Sequence, residues 1–345
     1  MSAEVPFPDY LAKRLPQVNA WIEDHAWRSA PDDALGDDLA RYLYAPLAHF
    51  NAGGGKRARP VLALLGSEAV GGTSEAALAA GCAIELFQSA ALVHDDIADE
   101  GTMRRGEPCL HVTYGTGLAI NVGDAALVQV TDAILEDGEL SEVARLRVLR
   151  EFVAMERRTL EGQALDLGWA RDGRWDLSPA DYLTMATLKT AHYTCASPLV
   201  IGAFCGGGTH EQADALRAFG LDAGLAFQIQ DDLLNLVGDA DAQGKDLMSD
   251  ITEGKRTLPV LYTLEKLAGA RREDFLALVS SGTTDEADLR RAVSLMEETG
   301  ALDHARDMAA TLTDRAIGRL DSVKLDERAR ETLVSMAHFF VERVS

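Results

Sequence analysis

The sequence predicts an all-α protein that forms one large domain over residues 1–345. Apolar residues recur at three- and four-residue steps along most of the chain, which is the period of a helix, and no region shows convincing strand alternation. Of the 345 residues, 47% are hydrophobic, which is ample for a large core, and no Pro/Ser-rich linker divides the chain. The periodic segments are Asp38–His49, Thr73–Val93, Ile120–Leu135, Ala144–Leu160, Ala180–Phe204, Gln212–Leu234, Leu258–Leu267, Ala287–Glu297 and Leu302–Leu320, with a last helix ending near Val341.

Helix-start signals support this assignment. Thr73-Ser74-Glu75 and Ser178-Pro179-Ala180 resemble N-terminal caps, and Ser178 and Asp181 have the spacing of a capping box. Glycines that interrupt the helical pattern fall at Gly53–Gly55, Gly101–Gly106 and Gly238–Gly254, where charged residues also gather. We therefore expect the functional residues at these three places.

Charge and cysteine content narrow the class of protein. The chain has 33 basic and 55 acidic residues and a net charge of −22, so it disfavours nucleic-acid binding, and an anionic ligand would need local cations or bridging metal ions. Cys82, Cys109, Cys195 and Cys205 form no CxxC pair and are typical of reduced thiols. The N-terminus lacks the pattern of a signal peptide, and the longest stretch without Asp, Glu, Lys or Arg, Thr190–His210, suits a buried helix better than a membrane span. We expect a soluble, cytoplasmic protein.

The first acidic motif is Asp95-Asp96-Ile97-Ala98-Asp99, at the end of an apolar run. On a helix Asp95 and Asp99 share a face, and because like charges at that spacing repel, the motif favours a counter-cation. Hard carboxylate oxygens suit Mg²⁺, which completes its coordination with water and substrate phosphate. A solvated acidic helix face would give the same pattern, which also arises readily by chance in so acidic a chain.

A second acidic motif makes the solvated-face interpretation less convincing. Asp231-Asp232-Leu233-Leu234-Asn235 also follows an apolar helical turn and has the same spacing. Two acidic pairs at the ends of apolar helices could face each other across a helical barrel. Together they predict a Mg²⁺ site.

Basic motifs accompany the acidic ones. In Gly53-Gly54-Gly55-Lys56-Arg57-Ala58-Arg59-Pro60 a glycine turn leads cations into a helix start, which could bind a diphosphate, although a solvated turn would look the same; the spacing is not that of a Walker A loop. Arg104-Arg105-Gly106 follows the first acidic motif, and Gly244-Lys245 and Gly254-Lys255 follow the second. Lys189-Thr190 interrupts an apolar helix, where the lysine is either a surface residue or an anion ligand. Mg²⁺-binding carboxylates surrounded by cations indicate a diphosphate site.

In this order the motifs resemble those of the trans-isoprenyl diphosphate synthases, or polyprenyl synthetases. The resemblance is close from Gly53 to Pro259, and it implies one all-α domain of ten or more helices around a deep central cavity, paired as a homodimer. It also implies a Mg²⁺-dependent prenyltransferase that condenses isopentenyl diphosphate with an allylic diphosphate, head-to-tail 1′-4 and in trans. The matching segments are Gly54–Pro60, Glu85-Leu86-Phe87-Gln88, Asp95–Asp99, Arg104–Gly106, Gly123-Asp124, Gly162-Gln163-x-x-Asp166, Lys189-Thr190, Phe227-Gln228-x-x-Asp231-Asp232, Gly244-Lys245, Asp250 and Lys255.

The resemblance also assigns roles to individual residues. Three Mg²⁺ ions that bind the allylic diphosphate would be held by Asp95, Asp99 and Asp231. Supporting carboxylates would be Asp96 and Asp232, and further cations and orienting groups would be Arg104, Lys189, Lys245, Lys255, Thr190 and Gln228. The residues that would hold isopentenyl diphosphate without metal are Lys56, Arg59, Gln88 and Arg105.

Two departures from the family pattern bear on chemistry and product length. Asn235 stands where the family often has a third aspartate, so its part in metal binding is open. Ala91 and Ala90 stand four and five residues before the first motif, where bulky aromatics close the cavity in fifteen-carbon synthases. We expect them to leave room for geranylgeranyl diphosphate (C20), with Phe87 as a deeper floor and C25–C30 products open. Close packing of both alanines against another helix is the alternative.

Other classes of protein fit less well. A class I terpene cyclase would ionise one prenyl diphosphate, usually carries an Asn/Ser/Glu metal motif in place of the second acidic pair, and lacks the Gly-Gly-Lys-Arg-x-Arg-Pro segment. An inactive partner subunit would have lost some of its aspartates, and a di-iron protein needs paired Glu-x-x-His motifs. His94 and His111 flank the first motif, and we expect both to be hydrogen-bonded structural residues and not metal ligands.

Overall fold

Helices account for nearly all regular structure in this computed structural model, which describes residues 5–25, 35–238 and 247–342. Within those ranges the sheet content is one hairpin of two short antiparallel strands, β1 (Met103–Arg104) and β2 (Glu107–Pro108). The described residues contain more than ten helices, so the all-α prediction is confirmed.

Contacts divide the chain into two compact units, and the first consists of Met1–Phe152, Pro198–Asp214 and Lys324–Glu331. The buried helix α5 (Leu78–Ala98) lies at its centre and packs against α4 (Ala58–Ala69) and α7 (Thr116–Leu135). The first eight helices of the chain, all of which begin in this unit, are α1 (Phe7–His25), α2 (Gly36–Leu39), α3 (Ala45–Ala52), α4 (Ala58–Ala69), α5 (Leu78–Ala98), α6 (Leu110–Tyr114), α7 (Thr116–Leu135) and α8 (Glu142–Arg171).

The second unit consists of Val153–Ser197, Ala215–Val323 and Thr332–Ser345. Its apolar cluster includes Ile229, Leu233 and Phe275. The remaining helices are α9 (Pro179–Ala186), α10 (Ser197–Cys205), α11 (His210–Val237), α12 (Ser249–Thr252), α13 (Leu258–Lys266), α14 (Gly269–Ser280), α15 (Glu286–Glu298), α16 (Ala301–Arg319) and α17 (Glu327–Glu342). The single domain over residues 1–345 and the central cavity stay predictions.

Most helix predictions are confirmed, with shifted ends. The capping box is present, because Ser178 Oγ accepts the Asp181 N–H at 3.3 Å and Asp181 Oδ2 accepts the Ser178 N–H at 2.8 Å. α8 continues to Arg171 instead of ending at Leu160. Of the described helices with eight or more residues, the periodic segments omit α1, α4 and α14. Pro16 lies inside α1, the basic motif predicted only the start of α4, and α14 carries the charged run Arg271–Asp274 in its first half.

Two helical segments, Glu75–Ala98 and Thr116–Leu135, are long and apolar enough to cross a membrane by length and composition alone. That is weak evidence, because core helices of globular proteins pass the same test, and 67% of the first segment's apolar window is buried. Of the four cysteines, all free, Cys82, Cys109 and Cys195 are buried and Cys205 is half-buried.

Candidate active site

The glycine-rich loop of the first unit is anchored by Arg57. This residue has left-handed backbone (φ 47°) at the N-terminus of α4, and its guanidinium is buried. Nη1 donates to Oε1 of Glu85 at 2.8 Å, and Nη2 donates to the carbonyl oxygen of Asn51 at 2.6 Å. Because a buried guanidinium is costly unless it is paired, these bonds fix the loop. On either side of this anchor, Lys56 is exposed and Arg59 half-buried, as expected of anion ligands.

The β1–β2 hairpin places two more cations in this unit. Arg105 and Gly106 form its two-residue turn, and both have positive φ (53° and 83°), as such hairpin turns require. Arg104, on β1, donates from Nε to Oδ1 of Asp96 at 2.6 Å. The Arg105 guanidinium lies against the glycine-rich loop, because a Cβ on Gly55 would be 3.2 Å from its Nη2. The hairpin therefore links the first acidic motif to the basic loop, which the sequence did not indicate.

In the first acidic motif the second aspartate differs from the other two. Asp95 is half-buried at the end of α5 and Asp99 is exposed at its C-cap, whereas Asp96 is buried and bonded to Arg104. Burial alone would lower the pKa of Arg104, but its hydrogen bond to Asp96 and the charges of Asp96 and Asp95 raise it. Arg104 therefore stays charged beside the motif.

Neighbouring polar residues of the first unit complete this region. Gln88 is buried on α5 two turns before Asp95, and its Oε1 has no hydrogen-bond partner among the described residues. His94 Nε2 lies 3.4 Å from both the Ile120 carbonyl and Asp124 Oδ1, which fits the predicted structural role. Nδ1 of His111 has no partner in the described part of the chain.

The three residues predicted to set product length lie on different sides of α5. Ala91 is partly exposed and lies four residues before Asp95, on the same helix face, and Phe87 lies one turn earlier. Ala90 instead is fully buried in an apolar cluster with Leu47 of α3 and Val122 of α7. The alternative interpretation, close packing against another helix, therefore applies to Ala90.

The second acidic motif, on α11, repeats the arrangement of the first. Asp231 is half-buried, whereas Asp232 is buried and accepts hydrogen bonds from the Tyr182 hydroxyl (2.6 Å) and from Gln228 Nε2 (2.7 Å). Burial and then the charge of Asp250 raise the pKa of Asp232 to about 8, although both hydrogen bonds act in the opposite direction. The sequence analysis did not identify Tyr182, because it belongs to none of the motifs. The one sequence signal was its position seven residues, or about two helical turns, before Lys189.

Asn235 and Lys255 surround the turn that follows this motif, and Lys245 lies outside the described residues. The Asn235 Oδ1 accepts the N–H of Asp250 at 3.1 Å, and its Nδ2 donates to Ser249 Oγ at 2.9 Å. Both ends of the amide therefore hold α12 in place. Lys255 Nζ bonds to Glu253 at 2.7 Å and to Asp250 at 3.2 Å. Burial would lower the pKa of Lys255, but these two carboxylates raise it, so the ammonium remains charged.

Lys189 is positioned by a close contact between helices. It lies with half-buried Thr190 in the π-helical segment Thr187–Ala196, and its Nζ is 2.5 Å from Oδ2 of Asp166 on α8. A Cβ on Gly162 would be 2.3 Å from the backbone nitrogen of Lys189, so only glycine permits this approach. Gly162 lets α8 approach the backbone of Lys189, and Asp166, one turn later on α8, pairs with the Lys189 ammonium. This explains the four-residue spacing between Gly162 and Asp166, which the sequence alone did not.

The carboxylates fit a magnesium ion that arrives with its phosphate ligand. The described residues contain no group of three His, Cys, Asp or Glu side chains that could enclose a metal. Mg²⁺ needs no such cage, because it keeps several waters and is bound through one or two carboxylates plus substrate phosphates. In each pair the more accessible aspartate, Asp95 or Asp231, is the predicted ligand.

Comparisons with known proteins agree with this geometry. The sequence model of the polyprenyl synthetase family matches residues 40–296. The chain is 38% identical over 311 residues to the short chain isoprenyl diphosphate synthase of Methanothermobacter thermautotrophicus, covering 90% of this chain and 93% of that one. It is 35% identical to the geranylfarnesyl diphosphate synthase of Natronomonas pharaonis, with 87% and 90% coverage.

Solved structures give the same result. The geranylgeranyl pyrophosphate synthase of Corynebacterium glutamicum, complexed with isoprenyl diphosphate and magnesium, superimposes with a TM-score of 0.83 and 30% identity over 98% of both chains. Fold and sequence therefore define an isoprenoid-synthase-type enzyme. The chain belongs to the polyprenyl synthetase family, and it is a trans-prenyltransferase.

Proposed function

We propose that this protein condenses isopentenyl diphosphate with an allylic diphosphate and releases geranylgeranyl diphosphate (C20) or a longer prenyl diphosphate. The observation that carries the proposal is the hairpin of the first unit. Arg104 contacts the first acidic motif, the proposed metal site, and Arg105 contacts the glycine-rich basic loop, which we propose binds isopentenyl diphosphate without metal. Two adjacent diphosphate-binding regions suit a two-substrate condensation better than a cyclisation of one substrate.

Asp95, Asp99 and Asp231 are the proposed Mg²⁺ ligands, with three ions in the substrate complex. When bound, Mg²⁺ neutralises negative charge on the leaving diphosphate as the allylic C–O bond breaks. Asp96 and Asp232, fastened by Arg104 and Tyr182, hold the neighbouring ligands in position.

The cationic side chains divide between the two diphosphates. Those proposed for the leaving diphosphate are Arg104, Lys189, Lys245 and Lys255, with Thr190 and Gln228 as orienting groups. Those proposed for isopentenyl diphosphate are Lys56, Arg59, Arg105 and Gln88. Charged donors fixed before the reaction stabilise the developing negative charge without reorganisation.

No nucleophilic side chain takes part in the proposed reaction. The allylic C1 bonds to C4 of isopentenyl diphosphate, and the proton lost from its C2 passes to the released diphosphate. We propose that the apolar helices around the predicted cavity exclude water that would capture the allylic cation.

Product length is proposed to depend on Ala91, with Phe87 one turn deeper. Both lie on the Asp95 face of α5, so the tail of an allylic diphosphate held at Asp95 would pass them. The small side chain of Ala91 supports a product of C20 or more. Relatives named geranylgeranyl and geranylfarnesyl diphosphate synthases support the same range.

A homodimer is proposed from an apolar stripe on α8. Leu146, Val153, Leu160 and Leu167 are exposed and recur every seven residues, a spacing that packs one helix against another. Light scattering should give twice the chain mass for the wild type, and Leu160→Glu should shift the mass toward the monomer. A monomeric wild type would contradict the proposal.

The four free cysteines support a proposed cytoplasmic location.

The test of the proposed function is product analysis. The protein is incubated with Mg²⁺, labelled isopentenyl diphosphate and, separately, the C5, C10 and C15 allylic diphosphates, and products are separated by chain length before and after phosphatase treatment. We expect a prenyl diphosphate series ending at C20 or above. A hydrocarbon or alcohol formed without isopentenyl incorporation would identify a cyclase, and no turnover with any starter would identify an inactive subunit.

A further inference from the structure

The connection between α8 and α9 carries an aromatic residue that no step of the proposed reaction uses. Within residues 172–178 the side chains are exposed except for Trp175 and Leu177, which are partly buried against the apolar cluster of the second unit. The Arg256 guanidinium lies over the Trp175 ring, 4.1 Å from its centroid. Trp175 therefore attaches this connection to the turn after the second acidic motif.

Arg256 is a buried cation whose contacts join the turn at Gly254 to the connection between α8 and α9. It is only 5% exposed, its Nε donates to the Arg174 carbonyl at 3.0 Å, and its Nη1 donates to the Gly254 carbonyl at 2.7 Å. These bonds and the face of the tryptophan replace the lost hydration of the guanidinium. Burial lowers the pKa of Arg256, and the charge of Asp166 opposes the shift.

The same turn carries Lys255. Gly254, at φ 64°, reverses the chain just before it, and the Lys255 N–H donates to the Asp250 carbonyl at 2.8 Å. Arg256 is the next residue, so its contacts with Trp175, Arg174 and Gly254 determine where the Lys255 side chain leaves the backbone. Loss of the ring contact would leave Arg256 buried with less compensation and would favour another turn conformation.

We propose that Trp175 is a positioning residue for catalysis, whose ring holds Arg256 and thereby fixes the turn that directs Lys255 toward the allylic diphosphate. This inference rests on the proposed function, because it uses Lys255 as a diphosphate ligand. Trp175 itself contacts no substrate in this account.

A double-mutant cycle tests the coupling. Trp175→Leu should lower kcat/KM for the allylic substrate about tenfold, and Lys255→Ala about a hundredfold. The double variant should resemble Lys255→Ala within about threefold, because Trp175 acts through Lys255. Losses that multiply in the double variant, or a Trp175→Leu enzyme within about twofold of wild type, would overturn the proposal.

Two control variants separate positioning from general packing. Trp175→Phe retains a cation-binding ring and should recover activity to within about threefold of wild type. Trp169, on α8, packs against the same cluster, and Trp169→Leu should stay within about twofold of wild type. A Trp169→Leu loss equal to that of Trp175→Leu would assign the effect to packing and reject the proposal.

Hydrogen exchange provides a readout that needs no activity. Trp175→Leu should speed amide exchange over residues 250–257, and Lys255→Ala should not. Unchanged exchange in Trp175→Leu would overturn the proposal. If the wild-type protein incorporates no isopentenyl diphosphate, the proposed function fails, whereas the exchange experiment still decides whether Trp175 fixes the turn.

Discussion

The Tyr182 hydroxyl donates a 2.6 Å hydrogen bond to Asp232, and both residues are buried. The corresponding aspartate of the first motif, Asp96, is bonded to Arg104. Each Asp-Asp pair therefore contains one residue hydrogen-bonded within the protein and one more accessible residue, which is the proposed metal ligand.

Tyr182→Phe should reduce both stability and activity. Removal of the hydroxyl leaves a buried carboxyl oxygen of Asp232 without its donor, which costs about 1–3 kcal/mol of unfolding free energy. We also expect kcat/KM to fall about tenfold, because Asp231 adjoins the loosened residue. Urea unfolding and steady-state kinetics measure the two effects.

A matched control for this variant is Tyr10→Phe. Tyr10 donates to Glu68 at 2.8 Å between α1 and α4, a tyrosine–carboxylate pair that the proposed mechanism does not use. Tyr10→Phe should lose stability but keep its kcat/KM. An equal fall in kcat/KM in both variants would show that the Tyr182 effect is not specific to the motif.

The stability of the metal-free protein should decrease as pH rises from about 4 to 8. The pKa of Asp232 is raised to about 8 in the folded protein, against about 3.9 when unfolded, so the folded state binds its proton more tightly in this window. The free energy of unfolding should fall with a slope of up to about 1.4 kcal/mol per pH unit in urea titrations with EDTA. Asp232→Asn should flatten the slope, and a slope unchanged by this substitution would contradict the assignment.

Ala91→Phe and Ala90→Phe should differ in kind. A ring at Ala91 lies on the Asp95 face and should shorten the main product, with little change in stability. A ring at Ala90 overpacks the cluster containing Leu47 and Val122 and should cost about 1–3 kcal/mol or more. Chain-length analysis and thermal unfolding of both variants check this, and a folded, active Ala91→Phe enzyme with the wild-type product would refute the role of Ala91.

Asn235 should matter for structure more than for metal binding. Asn235→Asp keeps the acceptor for the Asp250 N–H, and the Ser249 hydroxyl can donate to the new carboxylate, so activity should be retained. Asn235→Ala loses both bonds and should be about 1–2 kcal/mol less stable. A Mg²⁺ titration of activity distinguishes the two roles. If half-saturation in Asn235→Asp required a Mg²⁺ concentration about tenfold lower than in the wild type, position 235 would be a metal ligand.

The fold was predictable where apolar residues repeat without interruption. α5 and α11 have long apolar runs, and the Ser178 capping box marks the start of α9 through a local hydrogen bond. α1 and α14 were missed because Pro16 interrupts the pattern of the first and four consecutive charged residues, Arg271–Asp274, interrupt that of the second, and tertiary packing stabilises both helices.

Within the candidate site, residue types and spacing predicted which side chains matter but not how they are held. Asp95 and Asp96 look equivalent in sequence, and only the hairpin that carries Arg104 distinguishes them. The partners Glu85, Tyr182 and Trp175 lie 28, 50 and 81 residues from Arg57, Asp232 and Arg256, and such pairings depend on the fold.

The central claim is that a Mg²⁺-dependent prenyl transfer uses the aspartate motifs, and labelled isopentenyl incorporation in Mg²⁺ and in EDTA tests it most directly. We predict products of C20 or longer with Mg²⁺, none with EDTA, and losses of about a hundredfold or more in Asp95→Asn and Asp231→Asn. Asp37→Asn, an exposed acidic residue of α2, should behave as wild type. No incorporation by the wild type with any allylic starter, or full incorporation by Asp95→Asn, would contradict the account.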